Sequence, residues 1–208
     1  MIILMTDHVQ LYVACIAVVV FLLILLLFSE GGGRHARYRR RAERIYRKFN
    51  KENTPPGRMF AYMRKVNPYV FEELVLLAFE KKGYRIKRNR RYSGDGGIDG
   101  KVFVDGRTVL VQCKRYFAHI DAGHVREFAS LCEREKCTGV FVHTGRTGRK
   151  SWEIARRYGD ITFISGNTLV DLIMKDRKVL VRTRVALRSN DLEQPDKDYN
   201  EIFDYHDF

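Results

Sequence analysis

Three polar side chains, Asp99, Gln112 and Lys114, lie at a spacing that an antiparallel hairpin would bring together. Residues 98–104 and 107–114 are rich in Val, Leu, Phe and Thr, and they flank Asp105-Gly106, a strong two-residue hairpin signal. With that turn, Asp99 lies opposite Gln112 with Cβ atoms roughly 5 Å apart, and Lys114 points to the same, less apolar side. A three-residue turn with a bulge would shift this register by one residue.

A carboxylate, a carboxamide and an amine together have the chemistry for phosphodiester hydrolysis. Asp99 and the side-chain carbonyl of Gln112 suit Mg²⁺, with Mn²⁺ as a substitute, and the main-chain carbonyl of Cys113 is a third candidate ligand. Lys114 could orient or deprotonate the attacking water, or stabilise charge on the phosphate. The spacing alone is more often an ordinary hairpin in which Asp99 caps a turn.

Short motifs around these residues follow one order along the chain: N-P-Y-V-F-E-E-L-V at 67–75, G-Y at 83–84, G-D-G-G-I-D-G at 94–100, V-Q-C-K-R-Y at 111–116, G-V-F-V at 139–142 with T-G at 144–145, and I-S-G-N at 164–167 with Leu169. This order resembles the Mrr-like restriction endonucleases of the PD-(D/E)XK nuclease superfamily. The resemblance implies an active site of an Asp, a Gln-x-Lys and a Glu on the preceding helix, here Asp99, Gln112, Lys114 and Glu72. Gln112 replaces the more usual acid of the superfamily.

Two neighbouring acids compete for the helical position in that site. At about 100° per residue, Glu72 falls at the edge of the apolar stripe of the helix predicted over residues 69–82. Glu73 falls on the opposite face, which the same pattern predicts to be solvated. The helix geometry therefore favours Glu72, although an acid early in a helix is also favoured by the helix dipole alone. Asp95 is predicted to shape the glycine turn rather than to bind metal.

The elements that must position these residues alternate between strands and helices. Helices are predicted over residues 69–82, 121–136, 149–158 and 168–175, and strands over 84–91, 98–104, 107–114, 138–143 and 161–164. This order predicts an α/β fold with an α/β/α core, in which a mixed central sheet is covered on both faces. With the resemblance, the core is expected to be restriction-endonuclease-like and to span residues 67–178.

The charge of the chain indicates a polyanionic partner. Its formal net charge is +13, and residues 191–208 carry a net −6, so the remainder carries +19. Basic residues recur on both sides of the proposed site, and phosphate contacts supply affinity without sequence information. We predict that double-stranded DNA is bound by Arg88, Arg90, Arg91, Arg115, Arg146, Arg149 and Lys150. The acidic tail is predicted to be disordered, with a place in the basic groove as a further hypothesis.

The N-terminal segment predicts a membrane anchor. Residues 11–28 contain no charge, Gly or Pro, and a helix over 9–28 would be roughly 30 Å long, enough to cross a bilayer. Bases are absent before Arg34 and frequent after it, which places the following domain in the cytoplasm and the N-terminus outside the inner membrane. A cleaved signal peptide is the alternative, but no base precedes the run. The predicted organisation is an extracytoplasmic N-terminus (1–8), a transmembrane helix (9–28), a basic juxtamembrane linker (29–66), the nuclease domain (67–178) and a C-terminal extension with the acidic tail (179–208).

The sequence thus predicts a membrane-anchored, magnesium-dependent DNA endonuclease that restricts foreign or modified DNA. A Holliday-junction or repair nuclease with the same chemistry is one alternative. A catalytically silent, membrane-tethered DNA-binding module is another, although such a module has no need for Asp99, Gln112 and Lys114 together. Double-strand cutting with one site per chain would favour a homodimer.

Overall fold

The computed structural model describes residues 2–89, 97–158 and 161–175, except for the side chains of 2–11 and 23–32. Along these residues run the helices and strands α1 (Ile2–Lys51), α2 (Pro56–Lys65), α3 (Pro68–Lys81), β1 (Arg85–Arg88), β2 (Gly100–Val104), β3 (Arg107–Lys114), α4 (Ala122–Arg134), β4 (Thr138–His143), α5 (Arg149–Tyr158), β5 (Ile161–Ile164) and α6 (Gly166–Ile173). The chain divides into two compact units, Met1–Arg40 and Arg41–Phe208.

The five described strands form one mixed sheet in the order β1-β2-β3-β4-β5. Strands β1, β2 and β3 are antiparallel neighbours, whereas β3, β4 and β5 are parallel. The hairpin between β2 and β3 turns at Asp105 and Gly106, whose φ angles of 49° and 76° are those of a two-residue turn matched to strand twist. Val104 pairs with Arg107 and Gly100 with Val111, so the predicted register is confirmed.

Strand β3 is central, and both of its faces are buried. A Cβ at Gly100, the partner of Val111, would lie 2.7 Å from Leu76 of α3, so α3 covers that face. On the other face, Leu110 is fully buried in a cluster with Phe128 of α4. Helices therefore cover both sides of this interior strand, and Gln112 is buried as well.

Residues 41–66 belong to the folded unit rather than to a linker. α1 continues to Lys51 past the predicted end at residue 28, and a further helix, α2, follows at Pro56. Buried apolar side chains from this stretch join the core: Ala42, Ile45, Tyr46, Phe49, Met59, Phe60, Met63 and Val66. The prediction of a basic juxtamembrane linker over residues 29–66 rested on the many bases of this stretch, but those bases alternate with an apolar stripe at helical spacing.

The other predicted elements lie close to the observed ones. The predicted last helix begins at Gly166 instead of 168, and the predicted strand 84–91 is seen as β1, with residues 90 and 91 outside the described part of the chain. The C-terminal extension, 179–208, also lies outside it. The mixed sheet with helices on both faces confirms the predicted α/β/α layers.

The predicted transmembrane helix, residues 9–28, falls within α1, and its side chains are described over 12–22. Among the described residues, no helix is long and apolar enough to cross a membrane. The structure therefore gives the transmembrane prediction no support. Within the same stretch, large apolar side chains are exposed: Tyr12, Val13, Ile16, Val18, Val19, Val20, Phe21 and Leu22.

The packing of α4 on β4 predicts a large effect for Gly139→Ala. An added Cβ would lie 2.7 Å from Phe128 Cε1 and close to Cys132 Sγ, so the core must shift. We expect a loss of about 1–3 kcal/mol of unfolding free energy, measured by urea denaturation. Gly33→Ala is the control, since an added Cβ there meets nothing within 4 Å. Equal denaturation midpoints for the two variants would contradict this packing.

Candidate active site

Asp99 is held at the end of the hairpin by the main chain of β3. The regular ladder ends where Gly100 pairs with Val111, and the Asp99 N–H donates to the Val111 carbonyl at 2.8 Å. The N–H of Cys113, beyond the end of the ladder, donates to Asp99 Oδ2 at 2.6 Å. The carboxylate thus takes the place of a strand carbonyl, and its position follows from the hairpin register.

The same arrangement orients the main-chain carbonyl of Cys113. The N–H and C=O of one residue in an antiparallel strand point to the same side, because hydrogen-bonded pairs exchange both bonds. Since the Cys113 N–H bonds to Asp99, the Cys113 carbonyl also faces the Asp99 side of β3. Its predicted role as a ligand stays a prediction.

Gln112 is buried, and only one end of its carboxamide is satisfied. Its Nε2 donates to the Gly97 carbonyl at 2.6 Å. Gly97 has a φ of +86°, and a Cβ there would lie 2.6 Å from that Nε2, so this close approach requires glycine. Gln112 Oε1 is buried without a hydrogen-bond partner in the structure. A buried carbonyl oxygen without a donor is costly unless a donor or a cation meets it.

Glu72 lies on α3, near the start of the helix. Pro68 occupies the first turn, and the Asn67 side chain accepts a hydrogen bond from the Tyr69 N–H at 3.0 Å, which fixes where the helix begins. Glu72 and Asp99 line the same narrow cleft between α3 and the start of β2. The structure therefore brings together the two carboxyl groups that the sequence placed in one site.

Burial dominates the electrostatics of this cleft. It raises the pKa of Glu72 from 4.5 to about 8, with further upward contributions from the charges of Asp99 and Glu73. It raises the pKa of Asp99 from 3.8 to about 6, against the hydrogen bond from the Cys113 N–H. Lys114 opposes both shifts, so its charge acts on both carboxyl groups. The cleft thus holds two acids that resist ionising together.

The chemistry of these donors fits a divalent cation. Asp99 offers a carboxylate, and the buried Gln112 Oε1 is an acceptor that lacks a donor. Oxygen ligands of this kind suit Mg²⁺. Among the described residues, no group of three or more His, Cys, Asp and Glu side chains could hold a metal ion. The predicted set, with one carboxylate, one carboxamide and one main-chain carbonyl, is not such a group.

Glu73 is buried, and the prediction that it faces solvent is wrong. Its carboxylate accepts a hydrogen bond from Arg88 Nε at 2.9 Å, and Arg88 Nη2 bonds Glu80 at the same distance. The stripe argument failed because α3 is buried on nearly all sides. The continuous apolar run L-V-L-L-A-F at 74–79 was the available signal, since a helix that is apolar all round is a buried one.

Arg88 and Arg115, predicted to contact DNA, have other partners in the structure. Arg88 bonds two carboxylates of α3. Arg115 Nη1 donates to the carbonyls of Arg64, at 3.0 Å, and Val66, so it caps the C-terminal end of α2. Each guanidinium is thus engaged in holding a helix against the sheet, and the predicted contacts of both arginines with DNA stay predictions.

The remaining predicted DNA contacts divide between exposed and undescribed residues. Arg146, Arg149 and Lys150 are exposed around the start of α5. Arg149 pairs with Glu153 at 3.4 Å, but such an exposed i,i+4 pair is worth little and leaves the guanidinium available to phosphate. Arg90, Arg91 and Asp95 lie outside the described residues, as does the glycine turn up to Gly96.

Sequence reasoning quoted Thr144 in the T-G motif at 144–145 but gave it no role. The structure shows that Thr144 joins the ends of β3 and β4. Its hydroxyl accepts from the Tyr116 N–H and donates to the Tyr116 carbonyl, both at 3.0 Å. Its carbonyl accepts from Arg64 Nε and Nη2 at 3.1 and 2.9 Å. Thr144 therefore fixes the chain that directly follows Lys114, and a lone threonine after a strand carries no sequence signal for this role.

Comparison with protein families gives one match. A family model named Mrr_cat, described as a restriction endonuclease, matches residues 63–173. This span includes all four predicted catalytic residues and the whole described sheet. Neither the curated proteins nor the solved structures compared with the chain give a match.

The raised pKa values of Glu72 and Asp99 predict that stability without metal falls as the pH rises. Both groups keep their protons to a higher pH in the folded chain than in the unfolded chain. Stability is therefore lost from about pH 4 upward as the pH rises through the folded pKa values of Asp99, about 6, and Glu72, about 8. Glu72→Gln should flatten this fall. Its free energy of unfolding, measured by urea denaturation in EDTA, should exceed that of the wild type most at pH 8 and above.

Glu127→Gln, a change to an exposed acid on α4, is the matched control and should follow the wild-type curve. Parallel curves for the wild type and Glu72→Gln would show that Glu72 does not resist ionisation in the folded chain.

Proposed function

Because the chain belongs to the Mrr_cat restriction endonuclease family, we propose that it is a divalent-metal-dependent DNA endonuclease whose site is formed by Asp99, Gln112, Lys114 and Glu72. The observation that carries this proposal is the buried Gln112 Oε1, an acceptor without a donor, on the strand whose main chain also holds Asp99. Mg²⁺ is the proposed cofactor, because all the proposed ligands are oxygen atoms.

Asp99 and Gln112 would hold the cation, with the Cys113 carbonyl as a third ligand. When bound, the cation supplies Lewis acidity at the phosphate and a water of lowered pKa. The chain keeps its own ligands in place without it, since the Cys113 N–H holds the Asp99 carboxylate and the Gly97 carbonyl holds the Gln112 amide. Such preorganisation avoids rearrangement during the reaction.

Lys114 and Glu72 would handle charge and protons. The charge of Lys114 acts on the carboxyl groups of Glu72 and Asp99, so the amine lies within electrostatic reach of both. From there it can orient the attacking water or stabilise negative charge building on the phosphate. Glu72, whose pKa is raised to about 8 by burial, can exchange a proton near neutral pH.

The proposed substrate is double-stranded DNA. The formal net charge of +13 and the exposed bases Arg146, Arg149 and Lys150 support binding to the phosphate backbone. We propose restriction of foreign or modified DNA as the role, on the strength of the family. Cutting both strands would need two copies of the single site, which favours a homodimer.

Plasmid cleavage tests the proposed activity. The wild-type chain should nick or linearise plasmid DNA with Mg²⁺, and EDTA should abolish the reaction. Asp99→Ala and Lys114→Ala should each lower the rate at least about 100-fold, the scale of one acid–base or charge-stabilising group. Lys81→Ala, which removes an exposed base at the end of α3, should cut at the wild-type rate.

Equal cleavage by wild type, Asp99→Ala and Lys114→Ala would refute the proposed site. Methylated, unmethylated and four-way-junction substrates separate the roles, since a restriction enzyme should prefer one of the linear duplexes. Preference for the junction would assign the chain to resolution instead.

We further propose that residues 9–28 tether the nuclease to the cytoplasmic membrane. Support comes from the sequence, which has no charge from 11 to 28, and from the exposed apolar side chains at 12–22. Uncovered apolar surface of this extent is costly in water. The bases that follow from Arg34 would keep the nuclease on the cytoplasmic side.

Membrane extraction tests the tether. The full chain should stay with the membrane fraction through high-salt and alkaline washes, because salt screens charge contacts but does not weaken apolar burial. A chain starting at residue 34 should appear in the soluble fraction. A chain ending at residue 190, which lacks the acidic tail, is the control and should remain with the membrane. Release of the full chain by salt alone would exclude an apolar anchor.

A further inference from the structure

The loop that follows Lys114 is joined to the loop that follows β4. The Arg146 N–H donates to the Ala118 carbonyl and the Ile120 N–H to the Arg146 carbonyl, both at 3.0 Å. Residues 119 and 146 pair as an isolated parallel bridge. A Cβ added at Gly145 would lie 2.6 Å from the Tyr116 Cβ, so the two loops are in close contact.

Phe117 projects from this fixed loop into solvent. Its side chain is 73% exposed, the highest value among the large apolar side chains that the structure describes. The residues on either side are held, Tyr116 through the Thr144 hydroxyl and Ala118 through its carbonyl. The loop therefore presents an aromatic ring at low entropic cost, whereas the fold gains little from the ring itself.

Phe117 is close to the proposed reaction centre. Phe117 lies three positions after Lys114 in the chain, so the two Cα atoms are at most about 11 Å apart. With nucleotides spaced about 3.4 Å along each strand, this distance corresponds to about three base pairs. The exposed bases Arg146, Arg149 and Lys150 lie on the loop that follows β4 and at the start of α5. There they can contact phosphates next to the bases that Phe117 reaches.

We propose that Phe117 stacks on or inserts between bases of the bound DNA, within about three base pairs of the phosphate that is cut. This inference rests on the proposed nuclease function and adds to it a contact with bases rather than with phosphates. A single exposed phenylalanine is common on protein surfaces. Here it is on a rigid loop, directly after the catalytic strand and beside exposed cations, which favours DNA over a second copy of the chain.

Fluorescence of 2-aminopurine tests the contact directly, because this base brightens when it is unstacked. In the full chain carrying Lys114→Ala to prevent cutting, binding should brighten 2-aminopurine placed within three base pairs of the cleavage position mapped with the wild type. Adding Phe117→Ala should remove that change, and Phe117→Trp should restore it. Phe21→Ala removes another exposed phenylalanine, in the other unit, and should leave the signal unchanged.

Cleavage kinetics test whether the contact matters for the reaction. Phe117→Ala should lower kcat/KM about ten-fold, the scale of one aromatic–base stack, with the salt dependence of binding unchanged. A mismatch at the contacted step should restore most of the lost rate, because the base pair is then already weakened. A merely structural role for Phe117 would not respond to the mismatch.

The outcomes separate the two proposals. If the wild type cuts DNA while Phe117→Ala cuts equally fast and unstacks bases equally well, the base contact is refuted and the nuclease stands. If the wild type does not cut, the nuclease proposal fails independently of Phe117. Loss of a homodimer in Phe117→Ala by sedimentation, without the fluorescence change, would assign the ring to the second copy and overturn the inference.

Discussion

The hydrogen bond from the Cys113 N–H to the Asp99 carboxylate is the interaction on which the site depends. It exists because the ladder between β2 and β3 begins at the pair Gly100 and Val111, whereas β3 continues to Lys114. The Cys113 N–H therefore lies beyond the ladder and has no partner carbonyl in β2. A side-chain carboxylate takes that donor, and the hairpin register thereby sets the position of the proposed metal ligand. The same end of β3 positions the neighbouring groups. Gln112 bonds the carbonyl of Gly97, two residues before Asp99, and Lys114 directly follows Cys113.

Placing this strand end in the middle of the sheet has an electrostatic cost. Helices on both faces exclude water, so burial raises the pKa values of Glu72 and Asp99 and leaves Gln112 Oε1 without a donor. Each of these features lowers the stability of the folded chain near neutral pH when no cation is bound. A cation would relieve all of them at once, and it is hard to account for their coincidence in a hairpin that only supports the fold.

The sequence predicted the hairpin register because this geometry is local, and its predictions failed where the partners come from far along the chain. The relative positions of Asp99, Gln112 and Lys114 were derived from a two-residue turn and from the alternation of side chains along a strand. The structure confirms the hairpin register on which that derivation depends. Glu73 was misplaced because its burial depends on Arg88 in another element, as well as on the all-round burial of α3. Composition likewise shows that Arg115 carries a charge, but not that its guanidinium bonds the end of α2.

The partners of Arg88 and Arg115 determine how charge is distributed around the site. Arg88 pairs with Glu73, one of the two acids of α3 that line the cleft with Asp99; the other is Glu72. Arg115 bonds the end of α2 just before α3 begins, and its charge also lowers the pKa of Glu72. A single guanidinium therefore ties the end of α2, just before the helix that carries Glu72, to the residue that follows Lys114, and its charge acts on Glu72. The folded unit must accordingly include α2, because without it Arg115 would be left as a partly buried charge with no acceptor for its hydrogen bonds.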